Sequence, residues 1–189
     1  MILQEYLCAL RDAIIEKGMV NTFYPYCEQI ERDGITFPAQ YISGGEYKQV
    51  QDFDVNGNGY IRKRGSVSVA LDRSSSFTAC EDDNAIVNLT YPLRMVLGVP
   101  KANLRDDAYS DDLLMFEMFE IIGTTYNVTN VQDVSNQVRS FDTDSLTIWS
   151  QEVRGFDYQM HFRLSYIAVD FDVTFTVSKS CLKEQCNGY

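Results

Sequence analysis

A chain of 189 residues with 27 acidic and 16 basic side chains carries a formal charge of −11, which argues against binding a phosphate backbone, since that needs clustered Lys and Arg. At 45% hydrophobic and 13% aromatic residues it is not a disordered chain, and it is long enough for one domain with a proper core. Met1 leads directly into an amphipathic stretch and not a signal peptide, no apolar run approaches the roughly 20 residues of a membrane span, and five scattered cysteines (Cys8, Cys27, Cys80, Cys181, Cys186) fit free thiols in a reducing setting.

Residues 2 to 17 read as an amphipathic helix: Ile2, Leu3, Tyr6, Leu7, Leu10, Ile14 and Ile15 recur at three- and four-residue spacing, and Gly18 stands where a left-handed C-cap is wanted. Residues 21 to 42, aromatic and β-branched and punctuated by Pro25 and Pro38, read as one or two short strands. Between Tyr47 and Leu71, "YKQVQDFDV" and "YIRKRGSVSVAL" flank "NGNG", a tight-turn signal, so residues 47–71 are expected to form a long, protruding β-hairpin arm. Its outgoing limb carries Arg62, Lys63 and Arg64, a compact basic cluster on an acidic protein. Residues 72 to 84 read as a polar loop.

"AIVNLTYPLRMVLGVP" alternates as a strand, in which Pro92 removes one ladder donor and favours an edge or a bulge. After an acidic loop with Ser110 and Asp111 as N-caps, "DLLMFEMFEII" reads as a helix apolar nearly all round, apart from Glu117 and Glu120, and closed by Gly123. Such a helix is buried, or meets a partner chain. Val128, Val131, Val134 and Val138 are spaced by three or four among Asn and Thr, and "SLTIWSQEV" reads as a strand holding the lone Trp149.

The clearest stretch is Tyr166 to Ser178. Ile167, Val169, Phe171, Val173, Phe175 and Val177 point one way; Ala168, Asp170, Asp172, Thr174, Thr176 and Ser178 point the other, giving a strand with one dry face and one wet face. Upstream, Phe156, Tyr158, Met160, Phe162 and Leu164 alternate in the opposite phase, which a bulge or bend would produce. The expected fold class is α+β: a mainly antiparallel sheet, an N-terminal amphipathic helix, one buried central helix and the hairpin arm, in a single domain over 1–189 with a mobile tail at 181–189.

Few residues point to chemistry. Asp54, Asn56, Asn58, Gly59 and Ile61 match the opening of an EF-hand loop, but Gly65 stands where a bidentate carboxylate is needed and Arg62 to Arg64 precede it. An Asn-Gly turn explains the same residues. His161, the single histidine, excludes His-rich zinc sites, and Cys181 and Cys186 lack a second pair at zinc spacing. No Walker loop, dinucleotide fingerprint, nucleophile elbow or His-Glu metal helix occurs. No catalytic, cofactor-binding or metal residue is assigned, and no enzyme is expected.

The order of elements, with "NLTYPLRMVLGVPK" leading through a loop to "LLMFEMFEII" and "EVRGFDYQMHFRLSYIAVDFDVTFTV" at the end, resembles the small α+β neck and tail-terminator proteins of tailed bacteriophages. The resemblance is one of pattern and carries over no functional residue. It implies a homo-oligomeric ring in the virion, assembled in the host cytoplasm against portal, neck or tail proteins, through which DNA passes without sequence-specific binding and with no membrane. In that setting Arg62, Lys63, Arg64, Val67 and Val69 would contact the next subunit. The acidic residues Glu81, Asp82, Asp83, Asp106, Asp107, Asp111 and Asp112 would face the lumen or a partner. The alternative is a β-rich ligand-binding or adhesive module, calcium-dependent through Asp54. A third is an enzyme whose site spells out no local motif.

Overall fold

The computed structural model describes residues 2–50, 56–71, 86–103, 111–125, 128–129, 131–154 and 163–178. In chain order the elements are α1 (Ile2–Glu16), β1 (Thr22–Arg32), β2 (Ile35–Tyr41), β3 (Tyr47–Gln49), β4 (Asn58–Lys63), β5 (Ser68–Leu71), β6 (Ile86–Pro100), α2 (Asp111–Thr124), β7 (Asp133–Asp142), α3 (Ser145–Glu152) and β8 (Leu164–Ser178). The eight strands join one mixed sheet in the order β3-β2-β1-β4-β6-β8-β7, with β5 also on β6. Only β1 and β4 run parallel among these pairs, so the fold is α+β with strands dominant.

Its frame is β6 against β8, paired antiparallel over fifteen residues each, from Ile86↔Ser178 to Pro100↔Leu164. Ile167, Val169, Phe171, Val173, Phe175 and Val177 are all fully buried on one face, as the alternation requires. α1 lays Leu3, Tyr6, Leu7, Leu10 and Ile14 on that face, and α2 adds Leu114, Met118, Ile121 and Ile122 to the same core. Gly18, at φ 71, ends α1 as expected. Tyr6 meets Phe175 edge-on, and its hydroxyl donates to Asn136 Oδ1 at 2.9 Å. Asn136 Nδ2 donates in turn to the Ile122 carbonyl at 2.6 Å. The asparagine inside the valine-spaced stretch thereby ties both helices to the outer strand β7.

Several sequence expectations are corrected. The arm at 47–71 does not form: β3 pairs with β2, and β4 lies between β1 and β6 in the middle of the sheet. The "NGNG" run misleads because Gly59 serves close packing and not a turn; a Cβ there would collide with Leu97 and come within 2.9 Å of Phe23. The real hairpin joins β1 to β2 through Asp33 and Gly34, at φ 54 and 77, the left-handed pair a two-residue turn demands.

"SLTIWSQEV" forms a helix, not a strand, because Asp144 caps it: its carboxylate accepts from Leu146 N at 3.2 Å and from the Thr147 hydroxyl at 2.6 Å. α2 runs past Gly123, and the Thr124 and Thr125 hydroxyls donate to the Glu120 and Ile121 carbonyls at its end. Nor is α2 buried all round: Phe116 and Phe119 are exposed.

Pro92 lies inside a central strand, yet its position honours the proline. Arg64 N donates to Pro92 O, so the edge that lacks an N–H faces the break between the pairing of β4, ending at Leu93, and that of β5, beginning at Thr90. Ser110, the phase change over 156–162 and the tail at 181–189 lie outside the described residues.

Candidate functional site

The face of the sheet opposite α1 and α2 carries a row of charges that the cross-strand register assembles. Arg62 of β4 stands opposite Arg94 of β6, and Arg94 stands opposite Asp170 of β8. Two arginines directly opposite on adjacent strands repel each other. α3 resolves this by delivering Glu152, fully buried, from its last turn. Arg62 grips Glu152 in a fork, Nε to Oε2 and Nη2 to Oε1, both at 2.7 Å. Tyr60 donates its hydroxyl to Oε2 at 2.9 Å. Arg94 Nε lies 2.8 Å from Oε1 as an ion pair, and its Nη1 donates to Asp170 Oδ1 at 3.0 Å.

The row continues outward. Arg64 approaches Asp170 at 3.7 Å and Asp172 at 3.4 Å, and Arg139 of β7 bonds Asp172 at 2.8 Å. Ser140 donates to Asp170 Oδ2 at 3.3 Å. Two Arg94 nitrogens, Nε and Nη2, are buried without a hydrogen bond among the described residues; Nε is held by Glu152 as an ion pair only, and Nη2 is left over.

Burial raises the Tyr60 hydroxyl well above its ordinary range, and the adjacent Glu152 carboxylate raises it further, so it stays a neutral donor. Burial alone would lower Arg62, but its bonds to Glu152 outweigh that and raise it. The inner quartet of Arg62, Arg94, Glu152 and Asp170 balances two positive with two negative charges. Such an arrangement locks α3 to the sheet. The thiol of Cys27, buried beneath α3 with Tyr60 and Trp149, is pushed up by burial and stays in its unreactive form. Among the described residues no cluster of three His, Cys, Asp or Glu side chains is arranged to hold a metal ion.

The structure disperses the residues that the sequence grouped as an arm contact. Arg62 turns inward to Glu152, while Arg64 is spent on Asp170 and Asp172. Lys63 lies over the Tyr26 ring, 5.5 Å from its centroid, on the sheet's other face. Val67 is half-buried, and Val69 is 67% exposed on β5. Asp54, His161, Glu81, Asp82, Asp83, Asp106, Asp107, Cys181 and Cys186 lie outside the described residues; Asp111 and Asp112 open α2, with side chains likewise outside the description. Of the EF-hand match, Asn58 through Lys63 form a sheet strand.

Two surface features missed by sequence reading flank the helical face. On α2, Phe116 is 69% and Phe119 54% exposed, and Phe119 stacks on Phe141 of β7 with centroids 6.0 Å apart. On the far side of α1, a cavity of about 380 Å³ opens between α1 and the β1–β2 hairpin, lined by Leu3, Leu7, Pro25, Tyr26, Tyr41 and Ile42. The first was half legible, since a helix apolar all round must show apolar groups somewhere. The second needed the packing of α1 on β1. No protein-family model matches the sequence, and no curated protein matches it either.

Proposed function

We propose that this chain is a structural virion protein that assembles as a ring in the head–tail connector or tail terminator of a tailed phage, lining the path of the DNA. The observation that carries this reading is the aromatic outer face of α2. Two phenylalanines more than half exposed, beside a third aromatic ring on β7, make a helix that meets another chain. The charged row supports a structural role as well, since its carboxylates and guanidinia are spent on each other. The resemblance of pattern supplies the ring and the virion, and the formal charge of −11 suits a lumen from which duplex phosphates are repelled. With Arg62 and Arg64 engaged internally, the subunit contact rests on apolar side chains and not on a basic arm.

Mass photometry and electron microscopy of the full chain, from nanomolar to tens of micromolar, test this reading. A closed ring of uniform copy number is expected; a monomer throughout would overturn it.

A further inference from the structure

A sheet that does not close has edges, and an edge strand leaves a row of backbone N–H and C=O groups without a ladder. Among the described residues, β3, β5 and β7 each have one side with no strand beside it. β3 and β5 are three and four residues long, and an edge so short is a poor template for another strand. β7 is ten residues long, Asp133–Asp142, contains no proline, and pairs only with β8. Its ladder to β8 is regular from Asp133 to Val138 and shifts register around Arg139. A bulge bends a strand, so the pairable edge is the run from Asp133 to Arg139.

Alternation sorts this run onto two faces. Val134, Asn136 and Val138 lie on the helical side: both valines join its core, and Asn136 bonds Tyr6 and the Ile122 carbonyl. Asp133, Ser135, Gln137 and Arg139 lie on the charged side, all exposed, with Gln137 opposite Asp172 and Arg139 bonded to it. Read outwards from Asn136, the run matches itself when turned end for end. Val134 answers Val138, and Ser135 answers Gln137. At the two ends an acid, Asp133, answers a base, Arg139.

We infer that a second copy of this chain occupies the β7 edge: two β7 strands pair antiparallel about a two-fold axis at Asn136, and the sheet runs on from one copy into the next. Two constraints select this register. Directly opposite residues share a face, so with the helices of both copies on one side the axis must pass through a residue and not between two. Of the possible centres, Asn136 sets Asp133 opposite Arg139, and symmetry makes that pair twice. A centre at Ser135 or Gln137 sets a valine against Asn136 and leaves both charges without an opposite. Copies of net charge −11 repel at long range, so matched charges at the edge count for more than their pairwise strength. The contact is isologous and joins copies only in pairs. It does not depend on the ring reading; where a ring forms, it stacks two of them, and the copy number is even.

The test is a charge swap in the full chain, read by analytical ultracentrifugation and mass photometry from nanomolar to hundreds of micromolar. The wild type is expected in even copy numbers. Asp133→Arg sets arginine opposite Arg139, and Arg139→Asp sets aspartate opposite Asp133. Each repulsion occurs twice by symmetry, so each variant is expected to weaken the pairing about tenfold. The two changes in one chain put opposite charges back together and are expected to restore it. Circular dichroism and thermal melting check that each variant stays folded.

A double variant as weak as the single ones would overturn the pairing. A ring of odd copy number, or one that Asp133→Arg leaves unchanged, would overturn it too while leaving the ring reading in place. A dimer that grows no further and obeys the charge swap would uphold the pairing and overturn the ring. A wild type that is monomeric throughout would overturn both. Should Arg139→Asp fail to fold for want of its bond to Asp172, the exposed Ser135 and Gln137 decide. Ser135→Lys with Gln137→Lys opposes like charges and should weaken the pairing about tenfold, whereas Ser135→Glu with Gln137→Lys should not. Equal effects of those two variants would refute the register.

Discussion

Replacing Glu152 by glutamine removes one charge and almost no volume. Arg62 and Arg94 would then face each other on adjacent strands with side chains 12% and 6% exposed, and water could do little to screen them. Removing one partner of a buried ion pair costs about 3–5 kcal/mol, chiefly for the charge left behind. The upper half of that range applies, because this carboxylate serves two guanidinia and the Tyr60 hydroxyl. A chain of this length loses about 2–4 °C of melting temperature per kcal/mol, so calorimetry should find Glu152→Gln melting about 8–20 °C below the wild type. Arg139→Gln serves as the exposed control: its guanidinium, 47% exposed against Asp172, should cost under about 1 kcal/mol, and high salt should shrink that difference but not the first. Replacing the inner ions together, Arg62→Met, Arg94→Met and Glu152→Leu, should recover most of the loss, since Asp170 keeps Arg64. A Glu152→Gln protein that melts within about 2 °C of the wild type would refute the reasoning.

Gly59→Ala should lower the melting temperature by about 2–12 °C, because its methyl group is forced against Phe23 and Leu97; an unchanged melting temperature would contradict the close packing. Asp144→Ala should destabilise α3. The Thr147 hydroxyl and the Leu146 amide hold the Asp144 carboxyl below its usual range, so its contribution is present above the unfolded pKa and lost as pH falls through the lower folded one. Melting curves of wild type and variant should therefore draw together progressively as pH falls below about 4, and a gap that stays undiminished down to the acid limit of folding would contradict the cap. Millimolar calcium should leave the melting temperature unchanged, as Asn58 to Lys63 lie in the sheet and Gly65 supplies no carboxylate; a shift abolished by Asp54→Ala would revive the calcium reading.

How much the sequence disclosed depended on whether one physical signal stood alone. The faces of β8 were legible because every second residue is β-branched or aromatic over a dozen positions, and α1 because its apolar residues keep one stripe. α3 was not, since Leu146 and Ile148 alternate with Thr147 and Trp149 as a strand would. What distinguishes it is the cap at Asp144, and Leu146 at 71% exposed beside buried Ile148 and Trp149. β4 was misassigned because a glycine needed for close packing looks the same in sequence as one needed for a turn. The charged row was hidden for a different reason. Arg94 and Asp170 are visible as charges in the outward phase of their strands, but that they meet, with Arg62 and a helix carboxylate, is a matter of register between distant segments. The outward side of α2 was undetermined because a helix apolar all round has no preferred face.

The two faces of the frame strands follow from how far each is covered. On the face under α1 and α2, β8 stays apolar from Ile167 to Val177. On the other, α3 covers one end only, and the residues grade accordingly: Leu164, Tyr166 and Ala168 are buried with Trp149, then come Asp170 and Asp172 at 12% and 14% exposed, then Thr174 and Thr176, half-buried. Each polar member of this series is bonded across to β6, β7 or the residues just after β4. Asp170 and Asp172 hold arginines, the Thr174 and Thr90 hydroxyls lie 2.8 Å apart, and Thr176 donates to Asn88 at 2.8 Å. A surface whose donors and acceptors are spent on one another offers an incoming chain little beyond rim contacts, which are worth about 0–1 kcal/mol each. The aromatic ridge on α2 has no such internal claim on its outward side beyond the stack on Phe141. In the proposed ring the contact would therefore fall on the helical side of the sheet, where apolar area is left to bury, and the charged side would keep the subunit rigid.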